Sequence, residues 1–547
     1  MNRKRVMKRN NILKLIGSTA MAALVIHLSV TVTSAGIAVS IGQNFTGSMP
    51  SLAGAANPSG AANEDYFVEL SQHNFTVYNK ADGSIVEAMG NGPFWNRMFP
   101  IPDLYGNGPR LVYDPAVQRW FAAEGLASGP DPSKGRVYLA VSETADPTGP
   151  WLGVMLPEYP GSTNAFGPVS LGLDAQGVYL SSSVGSTNAS IAISSGTWLW
   201  SLPKADLLAI PPIITNRTSF GQLFATNYGY SLAPSLAFDS STGGNVLAPA
   251  SAGFDANGNP VTNNNLVAFA ITNVLDSGSA TLTPTQAMAA LPYTEPINYA
   301  QQPDGSANLV DGDAEFTSLV YRVGDVLFAA QGIQFGPRVA VRWYRVSATT
   351  QRLLEAGTIT DTNLDFYFPS IAANTNGTVV LAFNGSGSNA FVGCYAVVGQ
   401  TVNGVTTFGS PLLLKAGLAS YQNAPPGSQY SDWGDYSTTC VDPTDPNTFW
   451  TINAYPDSPT TWATQITQLL TGPSPRLSIA NAPGGLLLFW PVTAVPFELE
   501  WAPSVPGTGA WSPVTQTATT NGTTVSVLLS PTNSSAFFRL VNLQGRP

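Results

Sequence analysis

The sequence predicts an all-β protein: a seven-bladed β-propeller, with six or eight blades as alternatives, followed by a small C-terminal β-sandwich. Three observations carry this. Turn formers are abundant, with 52 Gly and 43 Pro in 547 residues, which argues against helices. Short apolar strands recur, each ending in a turn rich in Asp, Asn and Gly and returning as a second apolar strand. Each such hairpin is followed by one or two more strand-like runs, so that units repeat every ~40 to 80 residues, a propeller period.

Taken in order, residues 1–35 read as an export signal. Arg3, Lys4, Arg5, Lys8, Arg9 and Lys14 form a basic n-region, an uncharged run follows from Leu15, and Thr33-Ser34-Ala35 offers small residues for cleavage. The run stays uncharged to Ile41, so an uncleaved N-terminal membrane anchor is the alternative. Residues 36–64 are small and polar and read as a flexible linker. The propeller spans 65–470. Its hairpins are YFVELSQHNFTVYNKADGSIVEA from Tyr66, RLVYDPAVQRWFAAE from Arg110, SLGLDAQGVYLSS from Ser170 and SLAFDSSTGGNVLAPA from Ser235. SLVYRVGDVLFAAQG follows from Ser318, SIAANTNGTVVLAF from Ser370 and STTCVDPTDPNTFWTINAY from Ser437. Residues 471–475 are a linker. Residues 476–547 alternate strands with Gly/Pro turns, as in a fibronectin-III or immunoglobulin-type sandwich.

Composition narrows the function. Lys+Arg number 23 against 33 Asp+Glu, net −10. Six of the basic residues lie in the signal segment, so the exported chain carries 17 against 33, net −16. An acidic surface without basic clusters excludes nucleic-acid binding. The histidines are His27 and His73, so a multi-histidine zinc site is excluded. No phosphate loop is present. The cysteines, Cys394 and Cys440, either form one disulfide in an exported protein or remain two buried thiols.

Residues just ahead of each hairpin crowd one end of a propeller's central channel. Here they include Tyr105, Arg110, Tyr230, Asp311, Asp313, Glu315, Asp365, Tyr367, Trp433, Asp435 and Tyr436. Aromatic faces stack on sugar C–H groups while carboxylates accept hydroxyl hydrogen bonds. The first expectation is therefore an exported, monomeric binding protein, secreted, periplasmic or on the cell surface, that engages extracellular glycans or surface polymers. Its ligand contacts are Trp433, Tyr436, Tyr367, Tyr230, Tyr105, Asp365 and Arg110. The alternative is a glycoside hydrolase or lyase using Asp313, Glu315 and Asp435, since a carboxylate pair suffices for glycosidic cleavage. Asp311 and Asp313 also form a candidate Ca²⁺ pair, because Ca²⁺ takes oxygen ligands from such runs. No other cofactor is expected. Asp442 and Asp445 read as turn formers. Arg342 and Trp343 alternate on a strand, one buried and one facing solvent.

Several segments resemble a family of exported bacterial propeller proteins that are sialidase-like in shape. They are WGDYS at 433–437 with VDPTDPNTFWTINAY at 441–455, VRWYRV at 341–346 and YDPAVQRWFA at 113–122. The tail, ending in FFRLV, resembles C-terminal sandwich modules of secreted bacterial proteins. The resemblance implies fold and export, not catalytic residues. An Asp-box of the sialidase form S-x-D-x-G-x-x-W has no clean copy. SETADPTGPW at 142–151 is the nearest. Arg110, Arg322 and Arg342 show no sign of converging as a sialidase arginine triad.

Overall fold

The computed structural model describes residues 37–49, 56–99, 106–126, 136–156, 166–184, 196–250, 261–297, 299–306, 308–309, 314–423, 430–431, 433–473, 475, 477–492, 497–502, 511–530 and 536–542. The predicted signal segment 1–35, Tyr105, Asp311 and Asp313 lie outside them. Two units separate, Gly36–Ser474 and a unit containing Pro475–Pro547.

Among the described residues, the antiparallel strands of the larger unit fall into seven groups, called sheets one to seven in chain order; the first strands of three, four and five also pair in parallel, joining those three into one 13-stranded sheet. Sheet one runs Ser59–Ala62, Tyr66–Leu70, Asn74–Asn79 and Ile85–Gly90. Sheet two runs Gly106–Asp114, Arg119–Leu126, Arg136–Ser142 and Trp151–Leu156. Sheet three runs Phe166–Leu173, Gly177–Val184, Gly196–Pro203 and Thr218–Phe224. Sheet four is built on Ala233–Ala237, Asn245–Pro249, Asn263–Thr272 and Gln286–Tyr293. Sheet five runs Val320–Val323, Val326–Phe335, Arg338–Ser347 and Leu353–Ile359. Sheet six has Asp365–Ala373, Thr378–Gly387 and Ala390–Val402, edged by Val405–Phe408 and Leu412–Lys415. Sheet seven has Thr438–Val441, Thr448–Pro456 and Trp462–Pro473.

The first strand of each sheet packs against the first strand of the next, and the seventh against the first. These inner strands close a ring, the arrangement of a β-propeller. They are apolar on both faces because neighbouring sheets cover both. Ala233–Ala237 is buried throughout, and the burial reaches outward to the third strand of sheet five, Arg338–Ser347, which is buried apart from Arg338. Arg342 and Trp343 are therefore both buried, correcting the expectation that one faces solvent. Arg342 is satisfied by Thr358 Oγ1 and Leu291 O.

The predicted linker is corrected. Ile37–Thr46 is a strand, pairing antiparallel with Trp462–Pro473 as the outer strand of sheet seven. Ser59–Ala62 is the inner strand of sheet one. The strand Ile37–Thr46 thus completes the last sheet and closes the ring noncovalently. Residues 37–41, read as a continuation of the apolar run, belong to this strand. Among the described residues, no helix is long and apolar enough to cross a membrane.

Glu69 secures the same seam. Its buried carboxylate accepts from Ser48 N–H, Ser48 Oγ, Tyr78 Oη and Thr464 Oγ1, joining the closing segment, sheet one and sheet seven.

The Asp/Asn turns serve a second purpose besides turning the chain. In each of five, one side-chain oxygen accepts from turn N–H groups, as Asp114 Oδ1 does from Ala116. Several also reach the following sheet. Asp114 pairs with Lys204 at 2.6 Å, and Asp442 with Lys80 at 2.6 Å. Asp239 accepts from Gly324 N–H, and Asn374 donates to Pro446 O. Asp442 and Asp445 thus cap turns as expected, and Asp442 also links sheet seven to sheet one.

Of the two alternatives for the cysteines, the structure has the buried thiols. Cys394 and Cys440 are free, buried thiols, one on the third strand of sheet six and the other on the inner strand of sheet seven. Among the described residues, the C-terminal unit has two sheets. One is built on Gly485–Pro491 and Thr524–Leu529, the other on Phe497–Ala502 and Phe537–Asn542. Leu488, Trp490 and Val527 of the first share a core with Leu499 and Leu540 of the second.

Candidate functional site

The end of the ring where inner strands begin is its entry end. The described residues of two long segments lie there, those within 294–319 ahead of sheet five and those within 416–437 ahead of sheet seven. They are cross-tied. Gln302 Oε1 accepts from Tyr421 N–H at 2.6 Å, and Gln302 Nε2 donates to Tyr421 O at 2.9 Å. Ser431 N–H donates to Asn308 O, and Ser420 Oγ to Pro303 O. Backbone bridges join Ala300 to Leu309 and Leu309 to Ser431. Together they form a cap.

Arg110 stands at the roots of both segments. Its guanidinium lies 4.0 Å from the Tyr436 ring centroid, and Nη2 donates to Thr317 O at 3.0 Å. Nη1 donates to Pro109 O, and Nε has no hydrogen-bond partner among the described residues. Burial works against the guanidinium charge, while Tyr436 and Asp435 favour it. Arg110, Asp435 and Tyr436, predicted from different repeats, are therefore brought together.

The other predicted aromatics have a different fate. Trp433 and Tyr367 are buried, packed with Tyr421 and Phe368 against Ala300 and Leu309 of the cap. Tyr367 Oη donates to Ser386 Oγ. These rings are the cap's core, not a stacking face, because the cap covers them. Tyr436 is also buried, beneath Arg110. Asp365 is committed as well, accepting from Val339 N–H, Gln301 N–H and Arg338 Nη1. Tyr230 is half-buried at the entry to sheet four, and Glu315 half-buried in the cap root. Among the described residues, no group of three or more His, Cys, Asp or Glu is arranged to hold a metal. The Ca²⁺ pair Asp311 and Asp313 lies outside them.

Backbone strain concentrates here. Asn57, Ser231, Phe368 and Asp435 have φ of +44°, +53°, +47° and +69°, all at inner-strand entries. Asn and Asp enter this region readily, whereas Ser and Phe do so at ~1–3 kcal/mol. Asn57 N–H donates to Gly434 O, tying two of these entries together.

Two features escaped sequence reasoning. Tyr299 and Tyr430 of the cap have ring centroids 3.9 Å apart, and Tyr430 is exposed. No periodic signal marks them, since both lie in irregular loops. The second is Glu124, at the entry end of sheet two. It is buried and accepts from Asn91 Nδ2 and Trp95 Nε1 of the helix Asn91–Asn96. Gly106 is required opposite, because a Cβ there would run into the Glu124 carboxylate. Burial pushes the Glu124 carboxyl up to about 8, with the two donors opposing.

A raised folded-state pKa contributes stability that is full below the unfolded value of ~4.3 and lost as pH rises through about 8. The expected outcome is a melting temperature that falls between these limits. Glu124→Gln should flatten that fall and exceed the native chain at pH 9. An unchanged pH profile in the variant would refute the assignment.

By sequence, no known family and no curated protein matches the chain. By structure, it is similar to Trypanosoma rangeli sialidase in complex with the inhibitor DANA. Identity is 8%, over 78% of this chain and 60% of that one, with a TM-score of 0.35. It is similar to the GH93 α-L-arabinofuranosidase of Fusarium graminearum at 11% identity, over 78% and 98%, with a TM-score of 0.36. A protein of unknown function from Dyadobacter fermentans is similar at 11% identity, over 78% and 95%, with a TM-score of 0.31. The chain spans about 60% of the sialidase's length.

Proposed function

We propose that this chain is an exported seven-bladed β-propeller whose capped entry face binds an extracellular glycan or surface polymer. The C-terminal unit is a fibronectin-III/Ig-like sandwich module. The observation that carries the reading is the cap itself. Two cross-tied segments rooted on Arg110 present the Tyr299–Tyr430 pair, with Tyr430 exposed and Tyr299 half-buried, and an aromatic pair at the surface suits the apolar faces of sugars. Export agrees with the closing strand. Cleavage after Ala35 leaves Gly36 as the first residue and keeps Ile37–Thr46 whole. Edman sequencing of protein recovered from the culture medium or periplasm should begin at Gly36.

Polysaccharide pull-down and glycan-array binding test the reading. Tyr430→Ala should weaken the best ligand about tenfold, which is ~1.4 kcal/mol. The Tyr299→Ala/Tyr430→Ala double variant should lose it while keeping its melting temperature. Undiminished binding in the double variant would place the ligand elsewhere. The second reading, a carbohydrate-active enzyme, is motivated by the half-buried Asp435 beside Arg110. It requires reducing-end release, or unsaturated ends for a lyase, that Asp435→Asn or Glu315→Gln abolishes.

A further inference from the structure

The opposite end of the ring carries a second feature. A cavity of about 210 Å³ lies among the inner strands of five sheets. Ala62, Leu111, Leu236, Leu319, Tyr321 and Cys440 line it, and it extends to Pro115 and Pro443 in the exit-end turns. Its wall is mostly apolar; the inner-strand residues Ala62, Leu111, Leu236, Leu319, Tyr321 and Cys440 are buried, while Pro443 and Pro446 at the turns are exposed and mark its mouth.

Size and chemistry limit the occupant. The volume exceeds the ~150 Å³ of an apolar cavity that holds benzene and falls below the ~300 Å³ at which drug-sized sites begin. The carboxylate at the edge, Asp442, is already engaged by Lys80, Thr444 and Trp450, so no charge is left to pair. Burial pushes the Cys440 thiol up to about 12, so it lines the wall as a neutral, unreactive group. Tyr321 lines the cavity, and burial holds the proton on its hydroxyl, which can donate it.

We propose that this exit-end cavity is a binding site for a compact, neutral, single-ring molecule, held by apolar contact and a hydrogen bond from Tyr321. The site is separate from the capped entry face and does not depend on glycan binding there.

Thermal unfolding of the full chain with toluene, p-cresol and benzoate reads the proposal. Toluene and p-cresol should raise the melting temperature saturably, p-cresol more, and benzoate should not. Tyr321→Phe should remove the preference for p-cresol over toluene. Ala62→Leu, which fills the cavity, should weaken both at least tenfold. Equal shifts in Ala62→Leu, or an equal response to benzoate, would overturn it. Should Ala62→Leu fail to fold, xenon-pressurised crystals of the native chain decide. A xenon peak between Leu111 and Leu319 supports the site, and its absence refutes it.

Discussion

A chain beginning at Gly47 is expected to lose its cooperative fold. Removing Ile37–Thr46 strips the outer strand from sheet seven and leaves Trp462–Pro473 as an open edge. The loss goes beyond ladder hydrogen bonds. Asn44 Oδ1 accepts from Gln465 Nε2 at 2.6 Å and Thr467 Oγ1 at 2.7 Å, and its Nδ2 donates to Leu414 O of sheet six. Phe45 packs on Tyr78 of sheet one, with ring centroids 5.4 Å apart. One strand thus touches three sheets at the point where the ring closes. Near-UV circular dichroism and calorimetry of the truncated chain should show no native transition. A synthetic peptide of residues 37–46 should restore part of it in trans. A milder form is Asn44→Leu, which leaves the Gln465 and Thr467 donors unmatched at ~1–3 kcal/mol each. A truncated chain that melts like the full one would show that the strand is dispensable.

The second large effect is expected at Asp114. Asp114→Ala leaves the Lys204 ammonium buried with no acceptor among the described residues. Breaking a buried pair from one side costs ~3–5 kcal/mol, because the remaining charge is uncompensated. Asp114→Ala/Lys204→Met should recover most of that, since the charge is gone and the stem is replaced by a similar apolar volume. The equivalent change at the ring closure, Asp442→Ala, should cost less. Lys80 is more exposed and also donates to Asn63 O and Glu64 O, so it keeps partners. Denaturant unfolding of the four proteins gives the ordering. A smaller loss for Asp114→Ala than for Asp442→Ala would contradict the desolvation argument.

Much of the β-propeller was legible in local patterns. The inner strand and its return, as in RLVYDPAVQRWFAAE, carry their own alternation, turn and β-branched or aromatic side chains, so the hairpin needs no distant information. The turn role of Asp442 and Asp445 followed from the same local chemistry. The meeting of Arg110 with Asp435 and Tyr436 was approached only through repeat order, which placed all three at strand entries.

Other features were not legible, for physical reasons. IAVSIGQNFT reads as a linker because its partner strand lies more than four hundred residues away, and pairing over that separation leaves no local mark. Trp433 and Tyr367 looked like a binding face because the sequence does not record that two irregular loops fold over them. Glu124 stands near the end of the strand Arg119–Leu126, after the apolar run Trp120–Ala123, where a lone acid normally faces solvent. Its burial depends on a helix from another repeat supplying Asn91 and Trp95.

By itself, then, the sequence determined the all-β class, the hairpin repeat and the turn chemistry, because each is set by side-chain period and backbone preference within a few residues. Only the tertiary structure decided which strand closes the ring, which aromatics are covered and which charges are buried in pairs. Those outcomes depend on desolvation between segments distant in the chain, and desolvation is a property of what lies opposite a residue, not of its neighbours in sequence.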